Sequence, residues 1–216
     1  MIFKIETISD DFLEKACEEG MKDLNDFYGI DWVHHLPNIF IVKDRKQIDE
    51  LRHEKTSGWV VGWCDRNRSI YLLDRDNFEK ESEHKYKTET YKARLKHELS
   101  HAFYKIVSSG ICKPIWLIEG VAIYTSGQNV FKKVPSEFKN FLEFYEGDGG
   151  GDVYTESGFA VQLLVEKFGK EKLLDLVKAT KTINSKEDFD KKFKEIYEFE
   201  PTYEEFNKLY KLKMTN

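Results

Sequence analysis

His97-Glu98-Leu99-Ser100-His101 lies inside a stretch, Thr88 to Val107, whose apolar residues Tyr91, Leu95, Leu99, Ala102, Phe103 and Ile106 recur at helical spacing. One long helix is expected there, and the rest of the reading follows from it. On a helix, two residues four apart are rotated by only about 40° from each other. His97 and His101 therefore share a face, and Arg94 and Glu98 lie on the same side, away from the apolar stripe. Two imidazoles so placed can reach one metal ion, and the first-row ion such sites usually hold is zinc. Glu98 is offset to the side of the pair, where its carboxylate can take a proton from metal-activated water. Five residues thus supply two ligands and one base.

A zinc site needs a third protein ligand. A histidine six residues after His101, with glycine at the third, would give the metzincin arrangement; this chain has Val107 and Tyr104 there. The better candidate is Glu119, in Pro114-Ile115-Trp116-Leu117-Ile118-Glu119-Gly120-Val121-Ala122. The first helix is expected to stop at Ser108-Ser109-Gly110, where glycine suits the left-handed conformation that ends helices. Pro114 suits the first position of a second helix, because its missing N–H costs nothing there. That helix would run back beside the first and present Glu119 to the histidine face. Glu119 sits among apolar neighbours, so its carboxylate demands a partner. Cys112 reads as a core thiol rather than a ligand, and His34, His35, His53 and His84 as surface or core residues.

HELSH followed after seventeen residues by the glutamate of WLIEGVA resembles the gluzincin metallopeptidases, and is most similar to their peptidase MA-like branch. Tyr154 to Gly169 is similar to the helix that family places after its glutamate helix, and Phe189 to Phe206 matches its C-terminal pattern in character. The resemblance implies a zincin-like α+β fold, one Zn2+ ion held by His97, His101 and Glu119, and hydrolysis of peptide bonds by zinc-activated water with Glu98 as general base. It also makes Tyr154 the candidate oxyanion donor, since related enzymes use a tyrosine or histidine there. Two family features are missing. Thermolysin-like enzymes carry an aspartate four residues after the glutamate ligand, where this chain has Ile123, and the glycine-rich exopeptidase motif of the aminopeptidases is absent. Peptide deformylases also use H-E-x-x-H with an upstream cysteine ligand, for which Cys64 would stand; their glycine-rich and cysteine motifs are absent here.

The resemblance implies a peptide or protein substrate, and composition agrees with a compact soluble enzyme. The 216 residues are 40% hydrophobic and 14% aromatic, too apolar for a disordered chain. A net charge of −5 from 34 basic and 39 acidic residues gives no electrostatic case for nucleic acid. No apolar run is long enough to span a bilayer. Met1 to Asp11 carries three acidic residues and no apolar core, so it does not read as a signal peptide. Three widely spaced cysteines, Cys17, Cys64 and Cys112, suggest buried thiols in a reducing compartment, with the cytoplasm as the default.

Ser9 is the expected N-cap of a first helix through Phe12, Leu13, Ala16, Met21 and Leu24. Short strands are expected at Ile39 to Val42, Trp59 to Cys64 and Ile70 to Leu73, with a short helix from Asp44 to Arg52. The last of these strands is a candidate to pair with an extended peptide. Asp74 to Lys87 reads as a solvated loop, and the Gly/Asp run at 146–152 as a surface loop or lid hinge. The expected architecture is a small mixed β-sheet with the HExxH helix beneath it, followed by a helical lobe. The N-terminal α/β lobe would span 1–112 and the helical lobe with the glutamate ligand 113–216, together one catalytic unit. The reading from a different class is a catalytically inactive, zinc-containing module that binds a peptide or protein; the retained Glu98 speaks against it. The sequence is silent on oligomeric state.

Overall fold

The computed structural model describes residues 5–66, 68–145 and 153–214; the Gly/Asp run at 146–152 lies outside the described residues. Helix α1 (Asp11–Tyr28) begins where the Asp10 carboxylate accepts the Leu13 amide at 3.1 Å, and ends at Gly29 in the left-handed region (φ 65°). The cap is therefore Asp10 rather than Ser9, whose hydroxyl donates to Glu14 instead. Leu13, Ala16, Met21, Leu24 and Tyr28 form its buried face.

Three strands follow: β1 (Asn38–Val42), β2 (Gly62–Asp65) and β3 (Ser69–Leu73), with α2 (Arg45–Arg52) between the first two. They form one sheet in the order β1-β3-β2, in which β1 runs parallel and β2 antiparallel to β3. The central strand is thus β3, which overturns the expectation that Ile70 to Leu73 could receive a peptide. Both of its sides are already hydrogen-bonded; the sheet's edges are β1 and β2, and of these β2 is the one that borders the cleft described below. The β2 ladder also starts later than expected, at Gly62 rather than Trp59. The preceding carbonyls are held otherwise: the Arg45 guanidinium donates to Val60 O at 2.6 Å and to the carbonyls of Ser57 and Gly58 at 3.1 Å.

The segment between β3 and the long helix is not a plain solvated loop. It contains a 3-10 turn at Arg75–Asn77 and the short helix α3 (Phe78–Glu81), whose Phe78 is buried edge-on against Tyr91. Helix α4 (Thr88–Val107) then runs its full expected length. Tyr91, Leu95, Leu99, Ala102 and Phe103 are buried as the periodicity requires, whereas Ile106 is 37% exposed and Tyr104 takes its place inside. Its neighbours are α1, the β2 edge of the sheet and α5 (Ile115–Thr125). The reversal between the two helices passes through Ser109 (φ 56°) and Gly110 (φ 85°). Pro114 precedes the first helical residue of α5 by one position, and the first two α5 amides donate to the carbonyls of Phe144 and Glu143.

Among the described residues, everything after α5 is helix, 3-10 turn or loop: α6 (Val153–Phe168), α7 (Lys170–Ala179), α8 (Lys186–Tyr197) and α9 (Tyr203–Met214). The α5–α6 crossing is the most extensive contact between any two elements. It is close because glycines face each other's helix: a Cβ on Gly120 would lie 2.7 Å from Ser157 O, and one on Gly158 only 2.2 Å from Ile123 Cγ2. Trp116 anchors the other side of α5 in an aromatic cluster, edge-on to Phe141, Phe189, Phe193 and Phe206 at centroid distances of 5.4–6.3 Å. No helix of the described residues is long and apolar enough to cross a membrane.

Candidate metal centre

His97 and His101 project from one face of α4, and Glu119 projects toward them from α5. His97 Nε2 lies 3.0 Å from His101 Nε2 and 3.3 Å from Glu119 Oε2; His101 Nε2 lies 3.6 Å from Glu119 Oε1. Among the described residues this is the one group of three such ligands whose donor atoms converge, all within 4.8 Å of one another. Four ligands placed tetrahedrally at zinc–nitrogen distances of 2.0–2.1 Å are about 3.3–3.4 Å apart along each edge. The three separations bracket that value. Two imidazole nitrogens and a carboxylate are also the donor set of catalytic zinc sites, which leave a coordination position open. Glu119 Oε2 is buried and receives no hydrogen bond of good geometry from the described residues, an expensive state for a carboxylate oxygen unless a cation sits beside it. The residues present therefore fit zinc.

Electrostatics point the same way. Burial opposes charge on both partners, yet the attraction between them wins. The Glu119 carboxyl is held well below the usual range by His101 and His97, and His101 is raised above its ordinary value by Glu119 and, behind it, Glu98. The site is organised to hold positive charge against a carboxylate, which is what a divalent cation would also satisfy. Neither Nδ1 has a hydrogen-bond partner among the described residues. The position of the missing family aspartate, Ile123, is fully buried against Gly158, so no described carboxylate orients a histidine from there.

The two helices are pinned by a buried hydroxyl relay that sequence reading did not find. Thr125 Oγ1 on α5 donates to Ser100 Oγ on α4 at 2.9 Å, and Tyr28 of α1 reaches the same Ser100 oxygen at 3.2 Å. Ser100, one of the two unspecified residues inside H-E-x-x-H, is completely buried. Three apolar residues would have filled this space equally well by composition, so the only local signal was a serine on the buried side of the helix.

A cleft of about 1300 Å³ opens over the centre. Its floor is Arg94, His97, Glu98 and His101 of α4, its wall Ile115, Ile118 and Glu119 of α5, and its opposite rim the β2 edge. Leu73 N donates to Val61 O, which makes residues 61 and 73 a bonded pair. The antiparallel alternation then turns the amides of Gly62 and Cys64 toward the open edge. The Cys64 carbonyl is already occupied, accepting from Lys105 Nζ at 3.0 Å. Gly62 lies directly over the general-base candidate: a Cβ there would stand 3.5 Å from Glu98 Cγ and 3.1 Å from Tyr71 O. A glycine in a strand marks such a close approach, and that was the available signal.

Tyr154, in the first turn of α6, borders the same cleft with 38% of its surface exposed, its ring tilted against Trp59 at a centroid distance of 5.7 Å. His84 does as well, its Nε2 3.1 Å from the Trp59 carbonyl, whereas His34, His35 and His53 are exposed and away from it. Cys112 is exposed rather than a core thiol, and neither it nor Cys64 belongs to the ligand group. Burial pushes the Cys64 thiol up to about 11 despite nearby Lys105, so it is a neutral wall residue at neutral pH. Comparison with protein-family models, curated proteins and solved structures returned no match for this chain.

Proposed function

We propose that this chain is a zinc-dependent metallopeptidase of the gluzincin type on a zincin-like fold, with His97, His101 and Glu119 as the metal ligands and Glu98 as the general base. The convergence of three ligand atoms from two helices, within 4.8 Å of one another and at the base of a cleft, carries the reading. Bound zinc supplies Lewis acidity toward a carbonyl oxygen and makes water nucleophilic near neutral pH. Glu98 accepts the proton of the attacking water on its carboxylate and delivers it to the leaving amide nitrogen, so that one residue serves as base and then acid. The open edge of β2 binds the substrate backbone, with the amide and carbonyl of Gly62 pairing to an extended peptide directly above Glu98. Tyr154, which borders the same cleft, donates its hydroxyl to the developing oxyanion in this reading, a contribution often worth about 3 kcal/mol. The free thiols Cys17, Cys64 and Cys112 are in keeping with work in the cytoplasm.

The test is cleavage of a quenched-fluorescence peptide library by the zinc-loaded protein, set against Glu98→Gln and against chelator. Cleavage by the wild type that is lost in both controls supports the peptidase. Absence of any cleavage by protein carrying one equivalent of zinc would overturn it in favour of a zinc-stabilised peptide-binding module.

A further inference from the structure

The cleft carries a charge opposite to that of the chain. Its lining includes six cationic side chains, Arg52, Lys85, Lys87, Arg94, Lys105 and Lys132, against two carboxylates, Glu98 and Glu119. The chain as a whole has a net charge of −5. A concave surface of one sign between low-dielectric walls concentrates ligands of the other sign.

The cations are not equivalent. Arg52 and Lys85 are rim residues with exposed carboxylate partners, Glu54 at 2.9 Å and Glu79 at 3.3 Å. Lys105 is tied to the Cys64 carbonyl. Arg94 differs from all of these. It projects from α4 one turn before Glu98, half-buried, with its guanidinium 5.6 Å from the centre of the Phe78 ring. It makes no hydrogen bond or ion pair with any described residue. Burial works against its charge, and among the described residues Glu98 counters this. A guanidinium that is part-buried, stacked on an aromatic face and without a fork partner is costly to maintain unless something planar and anionic docks on it.

Building on the peptidase reading, we infer that the cleft selects substrates carrying a carboxylate near the scissile bond, and that Arg94 is the residue that grips it. The carboxylate is either an acidic side chain or the free C-terminus of the peptide. Both present the same planar anion to the guanidinium fork, and the surrounding lysines draw it in. Arg94 acts here as a specificity-determining residue, separate from the proton transfer at Glu98.

The experiment measures binding rather than turnover, by fluorescence anisotropy on zinc-loaded Glu98→Gln protein. Four peptides of one sequence are compared, with glutamate or glutamine at one position and a C-terminal acid or amide. At least one carboxylate-bearing peptide should bind about tenfold or more tighter than the glutamine amide. That preference should shrink as ionic strength rises. The Glu/Gln and acid/amide comparisons separate side chain from terminus. Arg94→Gln should reduce the preference to about unity while leaving the affinity of the neutral peptide nearly unchanged, and Arg94→Lys should keep part of it, since the charge survives and the fork does not. Equal affinity for all four peptides overturns the inference, as does a preference that survives Arg94→Gln. The two readings fail separately. A wild type that cleaves neutral and acidic peptides equally fast remains a peptidase without this selectivity. Selective binding with no cleavage leaves the carboxylate site standing and removes the peptidase.

Discussion

Thr125 Oγ1 donates to Ser100 Oγ across the α4–α5 interface, joining the helix that carries Glu119 to the helix that carries His97 and His101. The same Thr125 hydroxyl lies 2.7 Å from Val121 O within its own helix, so its one proton is shared between the two acceptors, and Tyr28 brings α1 to the same serine. The relative rotation of α4 and α5 sets whether Glu119 meets the two Nε2 atoms. A polar contact with strict geometry specifies that rotation more sharply than interchangeable apolar packing does.

Replacing Thr125 with valine keeps the shape and deletes the hydroxyl. The unfolding free energy should fall by about 1 kcal/mol. Ser100→Ala should cost at least as much, about 1–2 kcal/mol, because the Tyr28 and Thr125 hydroxyls both lose their shared partner and keep only the carbonyls of Ser100 and Val121. Urea melts followed by circular dichroism measure both, and zinc titration of the same variants should show weaker binding.

Zinc should bind with a stoichiometry of one and stabilise the fold. At free zinc a hundredfold above Kd, linkage contributes about 2.7 kcal/mol. For a chain of this size that raises Tm by about 5–10 °C. Chelator should reverse the shift, and Glu119→Ala should weaken zinc binding by at least about a hundredfold. Differential scanning calorimetry with and without zinc reads the first, and competition with a chromogenic chelator the second.

Glu98→Gln should leave zinc stoichiometry and Tm close to wild type, because Glu98 is outside the ligand group. Turnover should fall by about 10²–10⁴-fold, the usual size of a general acid–base contribution. Turnover and metal content measured on one preparation separate loss of the base from loss of the ion.

Gly62→Val tests the strand above the base. Its side chain would press toward Glu98 and crowd Tyr71 O, displacing both the open edge and the base. Turnover should drop by about a hundredfold, as expected for an ångström-scale misplacement, with zinc still bound. A valine variant with wild-type kcat/KM would show that nothing docks closely against this edge.

Gly158→Ala tests the α5–α6 crossing. The added methyl would stand 2.2 Å from Ile123 Cγ2 and 2.4 Å from Asn129 Oδ1, so the helices must separate. A loss of about 1–3 kcal/mol is expected, seen as a lower denaturant midpoint at unchanged m value.

The amino-acid sequence alone determined the long helix, the shared face of Arg94, His97, Glu98 and His101, and the choice of Glu119. These are local matters: the helical repeat fixes which side chains share a face, and a lone carboxylate in an apolar helix stands out by composition. The N-cap was legible only to within one residue, because Ser9 and Asp10 both suit the position and the choice depends on how the chain enters the helix. Tertiary structure decided the rest. Which strand lies at the edge depends on β1 crossing over to pair parallel with β3, a long-range choice that leaves β2 open and closes off Ile70 to Leu73. The buried relay of Tyr28, Ser100 and Thr125, the approach of Gly62 to Glu98, and the cationic cleft each join residues from separate segments of the chain. Periodicity records which way a side chain points on its own element; only packing sets what it meets there.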